Sequence, residues 1–210
     1  MAVEFPSHLF ISGTDTGIGK TVVAAILMAG LSAEYWKPIQ SGTDEITDTQ
    51  WVREKSGLPE KKFHPESYLL KRPMSPHASA AEEGIRIDID SIQVPEDVKS
   101  ANLIIEGAGG IMVPINEHQF MLDLMKKMGA PILLVTSSRL GTINHTLLSL
   151  EQLRRHGLDV FGVVINGVRN QSNRQAIEHY GRVEILAEIE SIPCIDPESL
   201  VQCFHENFQK

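Results

Sequence analysis

The chain has 210 residues, a formal charge of -8, and 42% hydrophobic against 22% charged residues. These proportions are ordinary for a globular protein and suit a single domain over 1–210. An acidic chain without a Lys/Arg block is a poor holder of nucleic-acid phosphates. Its longest apolar stretch, Val22 to Leu31, is too short to span a bilayer, so no membrane role is expected.

The first strand candidate, His8–Ser12, runs into GTDTGIGKT and then a helix over 20–32. A phosphate-binding loop reads G-x-x-x-x-G-K-[ST] between a strand and a helix. Gly19-Lys20-Thr21 fits its end, but Thr14 stands where the first glycine belongs, and Gly13 lies one residue early. The mechanics survive that slip. Loop amides would ring phosphate oxygens, Lys20 would reach the terminal phosphates, and Thr21 could ligate Mg²⁺. The segment VVAAILMA, 22–29, is apolar all round and predicts a buried helix.

A second strand is predicted over Tyr35–Ile39, in YWKPIQSG. Lys37 sits at its end, and Pro38 stiffens the residues after it. A helix over 47–56 carries Asp48 in its first turn, which serves either the helix dipole or a metal. The stretch 57–100 holds five of the eleven prolines and predicts loops and short helices. Within it, Ser75 and Pro76 read as the cap and first position of a helix over 76–83, leaving His77 unexplained.

The strand Leu103–Glu106 ends in a carboxylate where P-loop proteins keep a metal-binding acid. Gly107, Gly109 and Gly110 after it would let backbone approach a ligand. A helix over 119–128 and a strand over Ile132–Thr136 lead into a helix over 142–156, whose amides at 141–144 could hold an anion. After the strand Val160–Ile165 comes Asn166, able to pair with a purine edge or to cap a turn. A helix over 172–181, a strand near Val183–Ile189 and a helix over 197–208 complete the chain. Strand–helix alternation with continuous Val/Ile/Leu strands predicts an α/β fold, doubly wound on a mostly parallel sheet. Ligands bind such folds beyond the strands' carboxyl ends. Lys20, Lys37, Glu106, Gly141 and Asn166 are all placed on that rim.

Cys194 and Cys203, nine apart, fit no zinc pattern and read as reduced thiols. The opening MAVEFPSHLFIS lacks the basic start and long apolar centre of a signal peptide, so the expected compartment is the cytoplasm.

From residue 9 to about 170 the motifs GTDTGIGKT, KPIQSG, SPH, EGAGG with Pro114, LGTINH and VVIN resemble, in order, those of the dethiobiotin synthetases, a P-loop NTPase-like family. The resemblance implies ATP- and Mg²⁺-dependent ring closure of 7,8-diaminononanoate with CO₂ or bicarbonate, yielding dethiobiotin, ADP and phosphate. By the same resemblance Gly17, Ile18, Gly19, Lys20, Thr21 and Val22 hold the ATP phosphates. Thr21, Asp48 and Glu106 ligate Mg²⁺. Lys37 and Lys20 stabilise carbamate and transferring phosphoryl charge, and Thr16 and Ser41 contact diamine or carbamate. Gly107, Ala108 and Gly109 line the site, and Asn166 with Gly167 borders adenine. Thr142 and Asn144 match the place where a neighbouring subunit holds the substrate carboxylate, which implies a homodimer. Where many relatives carry Glu, Asp and Pro-aromatic-Leu, this chain has Gly17, Gly167 and Glu190-Ser191-Ile192, implying looser selection of the base. Tyr180 is the candidate for a tyrosine expected near the substrate carboxylate.

Three rival readings share parts of this pattern. A partitioning or septum-positioning switch ATPase resembles it in fold, but carries a lysine near the loop start where this chain has Asp15. Its membrane-binding or basic surface is also not matched by the final segment, PESLVQCFHENFQK. A corrin-amidating synthetase needs a further glutaminase domain. A non-enzymatic nucleotide-binding regulator is the third.

Overall fold

The computed structural model describes residues 3–44 and 46–209. In chain order it contains β1 (His8–Gly13), α1 (Lys20–Leu31), β2 (Glu34–Trp36), β3 (Ile39–Ser41), α2 (Asp48–Ser56), β4 (Phe63–His64) and β5 (Tyr68–Leu70). There follow α3 (Pro76–Glu82), β6 (Leu103–Gly110), α4 (Met121–Met128), β7 (Ile132–Ser137), α5 (Thr142–Arg155), β8 (Val160–Asn166), α6 (Gln171–Gly181), β9 (Ile185–Ile189) and α7 (Pro197–Phe208).

Seven strands make one sheet in the order β4-β2-β6-β1-β7-β8-β9, and every neighbouring pair is parallel. Successive residues alternate between its faces, as extended backbone requires. Phe10, Ile105, Leu134 and Val163 pack with α4, α5 and α6. Leu9, Ile11, Ile104 and Val135 pack with α1, α2 and α7. Both faces are therefore covered, which explains why these strands read as unbroken apolar runs. In α1, Val23 to Met28 are fully buried. Gly30 lets α7 come close: a Cβ there would lie 2.0 Å from the Phe204 ring.

The strand expected over Tyr35–Ile39 is two strands. β2 belongs to the large sheet, whereas β3 pairs with β5 in a separate two-stranded sheet. Pro38 causes the break, since it has no N–H to give a ladder. Its carbonyl instead receives the amides of Ser67 and Tyr68. Short β4 and β5 lie where only loops and helices were expected. β6 runs four residues past Glu106, through the glycines to Gly110, where it pairs with Gly13 across a register shift. Ser75 precedes α3 as expected, but its hydroxyl bonds the His77 ring at 3.0 Å rather than a helix amide.

Candidate active site

The loop between β1 and α1 turns on two glycines in the left-handed region, Gly17 at φ 71° and Gly19 at φ 96°. Gly19 is also tightly flanked, because a Cβ would sit 2.0 Å from the Asn166 amide nitrogen. That nitrogen donates to the Ile18 carbonyl at 2.8 Å, tying the end of β8 to the loop. Lys20 opens α1, and its ammonium donates back to the Asp15 carbonyl at 3.1 Å.

Beside the loop, four chain segments meet in one ionic cluster. The Lys37 ammonium lies 2.5 Å from Asp48 Oδ2 and 3.1 Å from Glu106 Oε1. The Thr21 hydroxyl reaches Asp48 Oδ1 at 3.0 Å and Glu106 Oε1 at 2.9 Å. Lys37 and Glu106 are almost fully buried, at 4% and 1% exposure. Below them the Tyr35 hydroxyl donates to Glu106 Oε2 at 2.9 Å. Gln40 holds the start of α2 in place by accepting from the Asp48 amide at 3.3 Å.

Burial sets the proton affinities here, modified by charge. It pulls Lys20 below the ordinary lysine value, and the nearby Glu106 carboxylate only partly resists. Burial acts on Lys37 in the same direction, but Glu106 and Asp48 outweigh it and hold the ammonium above the ordinary value. Asp48 is held below the ordinary carboxyl value: burial opposes ionisation, and the Lys37 charge and hydrogen bond overcome it. A depressed carboxyl contributes stability above its unfolded value, lost only as pH falls through the folded one. The pair therefore stays ionised at neutral pH and fails in acid. Burial and the Glu106 charge push the Tyr35 phenol far up, so it remains a donor.

This cluster forms the floor of a crevice of about 480 Å³ lined by Thr16, Gly17, Gly19, Lys20, Thr21, Lys37, Gln40 and Ser41, with Asp48 and Glu106. Pro73 to Pro76 and Ala108, Gly109 and Val113 close its other side. Ser41 Oγ is buried and has no hydrogen-bond partner among the described residues, which leaves it free for a ligand at the wall. A second groove of about 620 Å³ continues over the loop, past Ile18, Val22, Asn166 and Gly167 to Glu190, Ser191 and Ile192. Thr16 and Gly17 border both.

Of the five rim positions read from sequence, Lys20, Lys37 and Glu106 converge on the crevice, and Asn166 lines the groove. Gly141 stands further round as the cap residue of α5. Of the amides expected to be free at 141–144, that of Thr142 donates to the Arg139 carbonyl. Thr142 is buried with its hydroxyl bonded to Thr136, while Asn144 is exposed. Gly107 packs against Phe10, a Cβ coming within 2.8 Å of the ring, and does not line the crevice. Tyr180 is 69% exposed and outside both cavities. Sequence reasoning missed Tyr35 and Gln40. The period-2 rule held the signal for Tyr35, since it shares a strand face with Lys37 two residues on.

As hard oxygen donors converging on one point, Asp48, Glu106 and Thr21 suit a small divalent cation. Among the described residues no group of three or more His, Cys, Asp or Glu side chains is placed to hold a metal ion, so protein ligands alone would leave most of the coordination sphere to water or phosphate.

A family model described as an AAA domain matches residues 7–199. The chain is 49% identical over 187 residues to an ATP-dependent dethiobiotin synthetase, BioD, of Paramagnetospirillum magneticum, covering 89% of each chain. It is 44% identical over 198 residues to the protein of the same description from Agrobacterium fabrum, covering 94% of this chain and 92% of that one. The fold is similar to that of a ParA family ATPase from Chlorobium tepidum (TM-score 0.53, 12% identity, 94% of this chain and 90% of the other). It is also similar to a chain of the MinC:MinD cell division complex of Aquifex aeolicus (TM-score 0.52, 12% identity, 97% and 89%). No described helix is long and apolar enough to cross a membrane.

Proposed function

The chain belongs to the dethiobiotin synthetase family, and we propose that its crevice closes the ureido ring of dethiobiotin from 7,8-diaminononanoate, CO₂ and ATP. It is an ATP-dependent ligase of biotin biosynthesis, with the nucleotide lying along the groove over the loop and the diamine in the ionic crevice. One amine takes up CO₂ and loses a proton to give a carbamate. A carbamate oxygen attacks the γ-phosphorus and releases ADP, forming a carbamic-phosphoric anhydride. The second amine then attacks the carbonyl carbon, and phosphate leaves as that nitrogen loses its proton.

This chemistry asks the protein for position and opposite charge, since the nucleophiles belong to the substrates. Lys20 faces the terminal phosphates. Lys37, held charged at neutral pH by Glu106 and Asp48 and set against the crevice floor, neutralises the carbamate and the transferring phosphoryl group. Thr16 and the partnerless Ser41 hydroxyl bind diamine or carbamate. Loop residues Gly17 to Val22 cradle the phosphates, Ala108 and Gly109 form the facing wall, and Asn166 with Gly167 borders the base. Thr21, Asp48 and Glu106 would hold Mg²⁺, which when bound would supply charge neutralisation to the phosphates. Tyr35 and Gln40 orient those two acids. The exposed Asn144 and the first turn of α5 serve the substrate carboxylate of a neighbouring subunit in a homodimer.

The observation that carries the reading is the meeting of Thr21, Lys37, Asp48 and Glu106 within hydrogen-bond distance beside a phosphate-type loop. Purified protein given Mg²⁺, bicarbonate and ATP should form dethiobiotin and ADP only when the diamine is added. Rapid ATP turnover without diamine, stimulated by DNA or lipid, would instead favour the switch-ATPase reading.

A further inference from the structure

Behind the phosphate loop, away from the ionic cluster, four threonines form a hydroxyl network that the ring-closing reaction does not use. Its hub is Thr136 on β7, with 0% exposure. Thr14, at the start of the loop, donates to Thr136 Oγ1 at 3.2 Å. Thr146, in the second turn of α5 and fully buried, donates to the same oxygen at 2.9 Å. Thr142, in the first turn of α5 and 3% exposed, lies 2.9 Å from it.

A hydroxyl has one proton and two acceptor positions. With both acceptor positions of Thr136 filled by Thr14 and Thr146, its own proton goes to Thr142. The hub is saturated, and the direction of every bond around it is fixed.

What the hub joins gives it a role. The connection from β7 to α5, 138–141, carries Leu140 fully in solvent and so offers little packing to fix the helix. Gly141, the cap of α5, makes no side-chain capping bond. The first two turns of α5 are instead held from inside, by Thr142 and Thr146 on Thr136. Thr14 is held by the same atom, and its amide donates to Val135 beside it at 3.0 Å. The loop that grips phosphate and the start of α5 thus share one buried oxygen.

We propose that Thr136 is a positioning residue that couples the phosphate loop to the first turn of α5, so that nucleotide in the loop tightens the binding of the substrate carboxylate at that turn. The inference rests on the proposed function, in which this turn serves the substrate of a neighbouring subunit, and it makes the two sites of a dimer responsive to each other. Movement of Thr14 as phosphate enters changes how strongly Thr136 donates to Thr142, since hydrogen bonds in a chain polarise one another.

The test is calorimetric titration with 7,8-diaminononanoate in bicarbonate, with and without a non-hydrolysable ATP analogue. For the wild type the analogue should lower the diamine Kd by about fivefold or more, within the usual range of coupling between sites. Thr136→Val, which keeps shape but removes the hydroxyl, should bind diamine alone as the wild type does and show an analogue effect below about twofold. Thr136→Ser should restore the coupling, which a role limited to packing would not predict. Should Thr136→Val fail to fold, Thr142→Val cuts the same link at its far end and must also lose the coupling. Equal analogue effects in wild type and Thr136→Val, or none in the wild type, would overturn the proposal. Sedimentation equilibrium separates the two readings. A monomer with Thr136-dependent coupling would refute the shared site and leave the relay standing, whereas a dimer whose coupling ignores Thr136→Val would do the reverse.

Discussion

Replacing Tyr35 by Phe removes one hydroxyl and leaves the ring where it packs, its centroid 6.0 Å from that of Phe63. The hydroxyl donates to Glu106 Oε2 at 2.9 Å in a fully buried setting, so the carboxylate loses a charge-assisted bond that no water replaces. Such bonds contribute about 1.5–3 kcal/mol. At roughly 2–4 °C per kcal/mol for a chain of this size, a mid-range loss of about 2 kcal/mol lowers the melting temperature by roughly 4–8 °C. Turnover should fall less than about tenfold, a barrier change below about 1.4 kcal/mol, because Lys37 and Thr21 still hold the other oxygen of Glu106. Thermal unfolding of the ligand-free protein at pH 7 measures the first effect and steady-state kinetics the second. In a Glu106→Gln background the same change removes only a neutral bond and should cost about 0.5–1.5 kcal/mol. A shift under about 1 °C, or an equal cost in both backgrounds, would refute the reasoning.

Three further outcomes rest on the same geometry. Lys20 holds its proton less tightly in the folded protein than in the unfolded chain, so its charge opposes folding at neutral pH and ceases to do so near 10.5, the ordinary lysine value. Lys20→Met should therefore melt higher than the wild type at pH 7, converge with it toward pH 10.5, and bind ATP poorly throughout; a lower melting temperature at pH 7 would contradict this. Gly19→Ala combines a φ of 96° with a Cβ 2.0 Å from Asn166 and should weaken nucleotide binding at least about tenfold by calorimetry, given a left-handed penalty near 1–2 kcal/mol before the clash. Gly17→Ala, at φ 71° with nothing within 4 Å, should be the milder change, and equal losses would count against the close approach of Asn166. Among the described residues Ser12 and Ser41 both carry a buried hydroxyl without a partner, but only Ser41 lines the crevice. Ser12→Ala should leave stability unchanged or raise it by up to about 1–3 kcal/mol, whereas Ser41→Ala should raise the diamine KM; the reverse pattern in melting and kinetics would refute the distinction.

Much of this was legible in the chain itself. Continuous Val/Ile/Leu strands between helices could only be covered on both sides, and the parallel sheet has that form. GKT after a strand gave the loop, and charged residues at strand ends gave the rim. What stayed hidden depended on distant partners. The spacing from Lys37 marks Tyr35 as facing the cluster, but it does not identify Glu106, 71 positions away, as the partner of its hydroxyl. Thr142 reads only as a helix-start residue, and the path of β7 reveals that its hydroxyl meets Thr136. Gly107 looks like its neighbours in EGAGG, yet its lack of a side chain serves Phe10 rather than a ligand. β4 and β5, two and three residues long, are too short for a periodic pattern to show.

The break at Pro38 has a consequence of its own. Lys37 is anchored to the seven-stranded sheet, while Gln40 and Ser41, three and four positions later, ride on a two-stranded raft whose ladder is independent of it. On the proposed function, the lysine that meets phosphoryl charge and the Ser41 hydroxyl that meets the diamine are thus carried by separately built ladders. Changes in 57–100 can reshape the raft for a longer or shorter diamine without touching the triphosphate side, which makes substrate length a trait this scaffold can drift in while its energy source stays fixed.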